Sequence, residues 1–261
     1  MATLVEVLGR RSVEYTSFAG RMFLFWFDAI TKCVTPPFYF SETVRQMHTI
    51  GVKSLFLTST VAISVGMVLA MQTIGELRIF GAVNYVSLIV GMAMVKELGP
   101  VLTALMVAGR AGSGISAEIG SMKVTRQIDA LTVSAVNPMR YLVVTRVLAC
   151  MLVVPLLAIF ADAEGMLGGL IVGVTQGGIS SHLYLAYTFK YIKLRHVIPG
   201  LLKAIFFGML VGTVACHYGF ETKGGTEGVG NATKASVVTS SLLIVISDVI
   251  LTRILLYIFG D

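Results

Sequence analysis

SLFLTSTVAISVGMVLAMQTIG, from Ser54 to Gly75, contains no Asp, Glu, Lys or Arg. A helix of about 20 such residues, rising about 1.5 Å per residue, crosses the ~30 Å hydrocarbon layer of a bilayer. Inside that layer the backbone must satisfy its own hydrogen bonds, which leaves helix as the natural conformation of an isolated apolar run. Working outward, comparable stretches run from Tyr85 to Gly109, Tyr141 to Thr175, Val197 to Phe220 and Ala235 to Phe259. The expectation is an all-α integral membrane protein with about five transmembrane helices. The third segment is long, and Pro155, Asp162 and Glu164 interrupt it, so it reads as bent rather than doubled.

Composition agrees. Hydrophobic residues make up 56% and charged residues 13%, with a mean hydropathy of +0.85. A soluble domain carries about 25% charge, so this chain is too apolar to hide its surface in one globular core. The formal net charge of +6 suits anionic lipid and cytoplasmic loops. No basic stripe with interleaved aromatics argues for nucleic acid. The three cysteines, Cys33, Cys150 and Cys216, suggest neither a disulfide framework nor a zinc site.

Residues 1–50 read as an interfacial amphipathic region and 51–261 as the membrane domain. Glu6, Arg10, Arg11 and Glu14 interrupt the start, which does not read as a secretory signal. Phe18 to Ile30 is aromatic and includes Trp26, but Arg21 and Asp28 break it. A helix lying in the headgroup plane fits this pattern. Five spans put the termini on opposite sides, and Lys and Arg decide which. With the N-terminus inside, thirteen of the twenty fall on the inner side. Six, including Lys190 to Arg195 and Lys203, fall outside, and Lys96 lies within a span.

Lys96-Glu97-Leu98-Gly99-Pro100 sits in the middle of the second span. Charges at that depth are costly by several kcal/mol and normally face a cavity or a partner. Pro100 has no N–H for the Lys96 carbonyl, so a kink carrying ionic groups is expected. A purely structural ion pair at the bend is the blander reading. Gly165, Gly169 and Gly173, and likewise Gly208 and Gly212, form rows that let helix backbones approach closely.

Ile115 to Leu131 is a polar-enriched helical pattern with Val124, Ile128, Leu131 and Ala135 on one stripe. Periodicity leaves docking on a partner and resting on the membrane equally open. Glu221 to Lys234, rich in glycine, reads as a flexible loop; it lacks a phosphate-loop motif. His48, His182, His196 and His217 are scattered, and no hydrolase motif is present, so no enzyme is expected. Asp162 and Glu164 point to different helix faces, towards water or headgroups at the outer end of the third span.

Three longer blocks carry a resemblance. They are Val95-Lys96-Glu97-Leu98-Gly99-Pro100-Val101-Leu102-Thr103-Ala104-Leu105 with Ala108 to Ser113, Ala117 to Thr125, and Gln127 to Leu131 with Val136 to Leu142. Near the C-terminus, Gly225 to Gly230 and Asp248 to Thr252 also fit. Over roughly residues 45–258 the chain resembles the MlaE/YrbE permeases. That likeness implies the membrane subunit of an ABC transporter that moves phospholipids between the inner and outer membranes of a Gram-negative cell. It implies a homodimer and a cytoplasmic ATPase that holds the ATP and Mg, with no cofactor or metal on this chain. A periplasmic ring of MCE-domain proteins and a small STAS-domain protein complete the implied assembly.

The resemblance makes Ile115 to Leu131 a coupling helix, with Glu118, Met122, Lys123, Arg126 and Asp129 near the ATPase. It gives a lipid pocket to Leu69, Gln72, Glu76 and Leu77 of the first span and to Lys96, Glu97 and Leu98 of the second. Arg126 stands where the family often has an acid, and Glu76 lies in a region expected to be mostly apolar. From the residues alone, a proton-driven secondary transporter using Glu97 and Asp162 and a scaffold anchoring a periplasmic ring remain rivals.

Overall fold

The computed structural model describes residues 4–259. Those residues form eight helices and no strand: α1 (Leu4–Val34), α2 (Phe40–Ile79), α3 (Val83–Val124), α4 (Gln127–Val133), α5 (Met139–Thr175), α6 (Ser181–Tyr191), α7 (Leu194–Phe220) and α8 (Gly225–Phe259). Five of them, α2, α3, α5, α7 and α8, are long and apolar enough to cross a membrane. The third expected segment is one continuous helix despite Pro155.

α5 is the axis of the bundle, with α2, α3 and α7 packed around it. Glycine makes these contacts. A Cβ on Gly66 of α2 would collide with the backbone carbonyl of Gly165 in α5, and one on Gly168 would strike the Ile63 carbonyl. Across the other face, Gly208 of α7 lies against the Cys150 carbonyl, and Gly212 lies beside Val147. Lipid tails are as apolar as leucine, so close van der Waals packing, rather than exclusion from water, holds such helices together. Tyr184 of α6 fills the space left by Gly169 and Gly173, and Ser180 caps that helix by accepting from the Leu183 N–H at 3.2 Å. Burial pushes the Tyr184 phenol up to about 12.

α1 rests on the bundle by one face. Phe25 meets His217 edge-on at 5.2 Å and Phe220 at 5.9 Å, while Phe23, Leu24 and Phe27 on the other side are exposed. α8 is the opposite case to α5. Only 6% of its spanning window is buried, against 67% for α5.

α3 is not a plain α-helix. Met94–Leu98 and Ala108–Gly112 are π-helical turns, as is Met139–Val144 at the start of α5. The first lies at the expected kink: Pro100 removes a donor, and the widened turn absorbs the loss. Two helices use the room it makes. A Cβ on Gly200 of α7 would strike the Val95 carbonyl, and a Cβ on Gly99 would strike Asp162 of α5.

Three expectations change. The polar helix expected over Ile115 to Leu131 is divided. α3 continues unbroken from the membrane to Val124, Arg126 adopts a left-handed φ of 58°, and α4 begins afterwards. Ile115, Ser116, Ile119 and Gly120 are buried between α7 and α8, so this half is part of the bundle rather than a surface helix. The loop expected over Glu221 to Lys234 is short. Gly224 and Gly225 make the turn with φ of 88° and 71°, and α8 is helical from Gly225 onward. Asp162 and Glu164 do not reach headgroups. Asp162 is buried against the first π-turn, and Glu164 accepts a hydrogen bond from Ser59 at 2.9 Å between the middles of α2 and α5.

Candidate functional site

The first π-turn presents three consecutive residues to two different sides. Leu98 joins Ser64, Val65, Val68, Leu69 and Gln72 of α2 around an open groove of about 510 Å³. Lys96 and Glu97 instead line a narrow cleft towards α7 and α8, with Pro199, Lys203, Thr252 and Phe259. A single helical turn therefore separates an apolar groove from an ionic cleft.

Lys203 of α7 is the centre of that cleft, with only 2% of its surface exposed. Its Nζ donates to Glu97 Oε2 at 2.5 Å and to Thr252 Oγ1 at 2.6 Å, and it lies 3.0 Å from Asp248 Oδ1. The Thr252 hydroxyl is also 2.8 Å from the Asp248 carbonyl. One ammonium thus ties α3, α7 and α8 together at two carboxylates and a hydroxyl. A lone buried charge here would cost several kcal/mol, so this convergence explains how a lysine is tolerated inside a span. With Lys96 on the same cleft, two cations balance two anions.

Nearer the α4 end, a second buried cation appears. Arg146 of α5 donates to the Leu142 carbonyl at 3.0 Å and pairs with Glu118 of α3 at 2.9 Å. Arg110, on the second π-turn, donates to the buried Ser54 hydroxyl of α2 at 3.0 Å. The Arg146–Glu118 and Arg110–Ser54 contacts cross between helices, so the segment reaching Val124 is tied to both α5 and α2.

Of the pocket residues expected from the resemblance, Leu69, Gln72 and Leu98 share the groove. Lys96 and Glu97 share the ionic cleft. Glu76 is exposed beyond Gln72, and Leu77 packs half-buried against the core beside α3 and α6. Of the residues expected at the ATPase, Glu118 faces Arg146, Met122 packs half-buried on the core, and Lys123 is half-buried. Arg126 and Asp129 are exposed at the break and in the first turn of α4.

Sequence reasoning missed Lys203 and Thr252 as partners of Glu97, Asp248 as the second carboxylate on Lys203, and Arg146 as the partner of Glu118. Lys203 and Arg146 had been counted with loop cations, although both lie within helices. The signal was present: a lysine inside one span and an aspartate inside another demand opposite charges at the same depth. Taking one cation from each side leaves the charge bias between the two sides standing.

Comparison with known proteins agrees with this architecture. The family described as Permease MlaE matches residues 43–254. A probable ABC transporter permease protein of Rickettsia typhi is 38% identical over 255 residues, covering 98% of each chain. A probable ABC transporter permease protein of Synechocystis is 37% identical over 220 residues, covering 84% of each. The intermembrane phospholipid transport system permease protein MlaE of Haemophilus influenzae is 34% identical over 256 residues, covering 98% of each. With the match spanning all five membrane helices, the chain belongs to the MlaE permease family.

Proposed function

We propose that this chain is the transmembrane permease subunit of an ATP-driven transporter that moves glycerophospholipids between inner and outer membranes, helping to maintain outer-membrane lipid asymmetry. The observation that carries the reading is the apolar groove at Leu69, Gln72 and Leu98, one turn from the ionic cleft at Lys96, Glu97 and Lys203. Acyl chains need apolar walls, and a phosphate needs a cation or donors nearby. The name of the Haemophilus influenzae relative, a phospholipid transport permease, supports the substrate class.

On this reading the subunit sits in the inner membrane of a Gram-negative cell with its N-terminus in the cytoplasm. It works as a homodimer, and a cytoplasmic ABC ATPase holds the ATP and Mg. An MCE-domain protein on the periplasmic side and a STAS-domain protein beside the ATPase complete the assembly. The exposed Arg126 and Asp129 meet the ATPase, while Glu118 acts through Arg146. Because α3 runs unbroken from the first π-turn to Val124, a push at its tip reaches Lys96 and Glu97 along one helix. Lys96 then meets the phosphate, and Glu97, held by Lys203, couples the tilt of α3 to α7 and α8.

Co-purification from native membranes tests the assembly: an ATPase subunit and bound glycerophospholipid are expected, and a lone, lipid-free monomer would overturn it. Replacing Lys96 and Glu97 by alanine should impair lipid transfer in the reconstituted complex; normal transfer with normal ATPase activity refutes their roles. One observation favours keeping the proton-driven alternative: Asp162 Oδ1 is buried beside the π-turn without a hydrogen-bond partner among the described residues. Transfer that stops with an ionophore, and persists with an inactive ATPase, would select that reading.

A further inference from the structure

A broad apolar surface depression lies away from the groove and cleft just described, between α2 and α5 at their α1 end. Two hollows meet there. One, of about 880 Å³, is walled by Phe38 from the α1–α2 connection, by Phe40 at the start of α2 and by Leu148 and Leu152 of α5. The next, of about 830 Å³, continues along His48, Leu55, Leu156 and Phe160. Val44 and Met47 line both, which makes them one channel open on its outer side. Gly51 brings the helices together along its floor, where a Cβ would stand 3.3 Å from Val153.

The channel has a length and a polarity. Along α2 from Val44 to Leu55, and along α5 from Val144 to Phe160, it spans about 17–24 Å at 1.5 Å per residue. One leaflet of the hydrocarbon core is about 15 Å deep, so a full acyl chain fits lengthwise. Apart from His48, its walls are apolar except at one end. There Arg140 donates to the Pro36 carbonyl and, at 3.3 Å, to Thr35 Oγ1. Both acceptors are neutral, and Arg140 forms no ion pair with a carboxylate among the described residues. The remaining guanidinium donors, beside Thr43 and Thr145, suit an anionic oxygen. Asn137 fixes the start of that segment by accepting from the Met139 and Arg140 N–H groups at 3.0 and 3.3 Å.

We infer that this channel is a second lipid site, which holds one glycerophospholipid of the leaflet on the α1 side with its phosphate at Arg140 and an acyl chain between α2 and α5. An uncompensated cation at headgroup depth, followed by an apolar trough one leaflet long, matches that molecule in both charge and shape. The bound lipid would splint the α1–α2 connection to α5, in a role independent of the transported substrate.

The test uses the full-length chain with its accompanying subunits, in nanodiscs of phosphatidylethanolamine containing phosphatidylglycerol that carries a photoreactive group on its acyl chain. Saturable adducts are expected on peptides covering residues 44–55 and 148–160. Val44 and Leu152 are exposed, so V44W should leave the fold intact while blocking the trough, and labelling there should fall about ten-fold, equivalent to about 1.4 kcal/mol. R140Q should weaken labelling similarly and R140K much less, whereas V238W on the exposed face of α8 should change nothing. Labelling that rises without saturation, or that ignores V44W, overturns the proposal. So does disulfide formation between V52C of one copy and L156C of another, which would make the trough an interface between copies.

Discussion

Removing the ammonium of Lys203 strands two carboxylates inside the bundle, and the cost can be worked from the geometry. At an effective dielectric constant of about 20, unit charges at the 2.5 Å separation from Glu97 and the 3.0 Å separation from Asp248 attract by about 6.6 and 5.5 kcal/mol before desolvation. Desolvation of the pair offsets much of this, and breaking a buried pair costs about 3–5 kcal/mol net. The Glu97 side chain is 40% exposed and that of Asp248 21%, so Glu97 recovers much of its hydration and its share must be discounted. K203M should therefore destabilise by about 3 kcal/mol, or roughly 6–12 °C in Tm for a chain of this size. The assay is thermal unfolding in detergent, followed by intrinsic fluorescence, on a mutant cycle. Adding E97Q and D248N to K203M removes the stranded charges and should restore most of the loss, because both side chains then need only hydrogen-bond partners. If K203M unfolds at the wild-type temperature, or the triple variant is no better than K203M, the ionic account of this cluster is wrong.

Other consequences are open to measurement. G66V places side-chain atoms on the Gly165 carbonyl and should force α2 and α5 apart, costing more than about 3 kcal/mol and showing as loss of folded protein on size-exclusion chromatography. R146M leaves Glu118 without its partner; coupling between ATP hydrolysis and lipid transfer in the reconstituted complex should drop more than stability does, since Glu118 is itself mostly exposed. Tyr184 favours the folded state in its neutral form, because its phenol is raised from the ordinary 10.0 to about 12. Its contribution is complete below pH 10 and is lost as pH rises towards 12, so Y184F should flatten the alkaline fall in Tm and leave neutral pH unchanged.

Hydropathy made the five spans legible because in lipid it is nearly a local property: a run of apolar residues has to be helical wherever it goes. Pro100 revealed the irregular turn for the same reason, through a missing donor that no distant residue can supply. The glycine rows announced close packing, but not which carbonyls they would meet. Pairing was harder. Lys203 lies 106 residues from Glu97, and nothing along the chain links them until α7 and α3 lie side by side. The stretch from Gly225 to Lys234 misled through composition. Its glycines and polar residues resemble a loop, yet Gly224 and Gly225 supply the turn and the rest continues the helical ladder of α8. Likewise, stripe periodicity over Ile115 to Leu131 could not reveal that Arg126 would break the helix, because a left-handed residue leaves the hydrophobic pattern almost intact.

Each π-turn holds one residue more than the α-helical turn it replaces, and successive residues of an α-helix are rotated by about 100°. α3 contains two such insertions before its tip and α5 one near its beginning. Deleting any one residue between Met94 and Leu98 would leave a straighter and apparently simpler span. It would also rotate everything downstream by roughly a quarter turn, carrying Ile119 and Glu118 away from α7 and Arg146. The azimuth of the tip is thus set by a register shift some 25 residues upstream, around Pro100 in the middle of the span, and the irregularity inside the span and the face that the tip presents must change together or not at all.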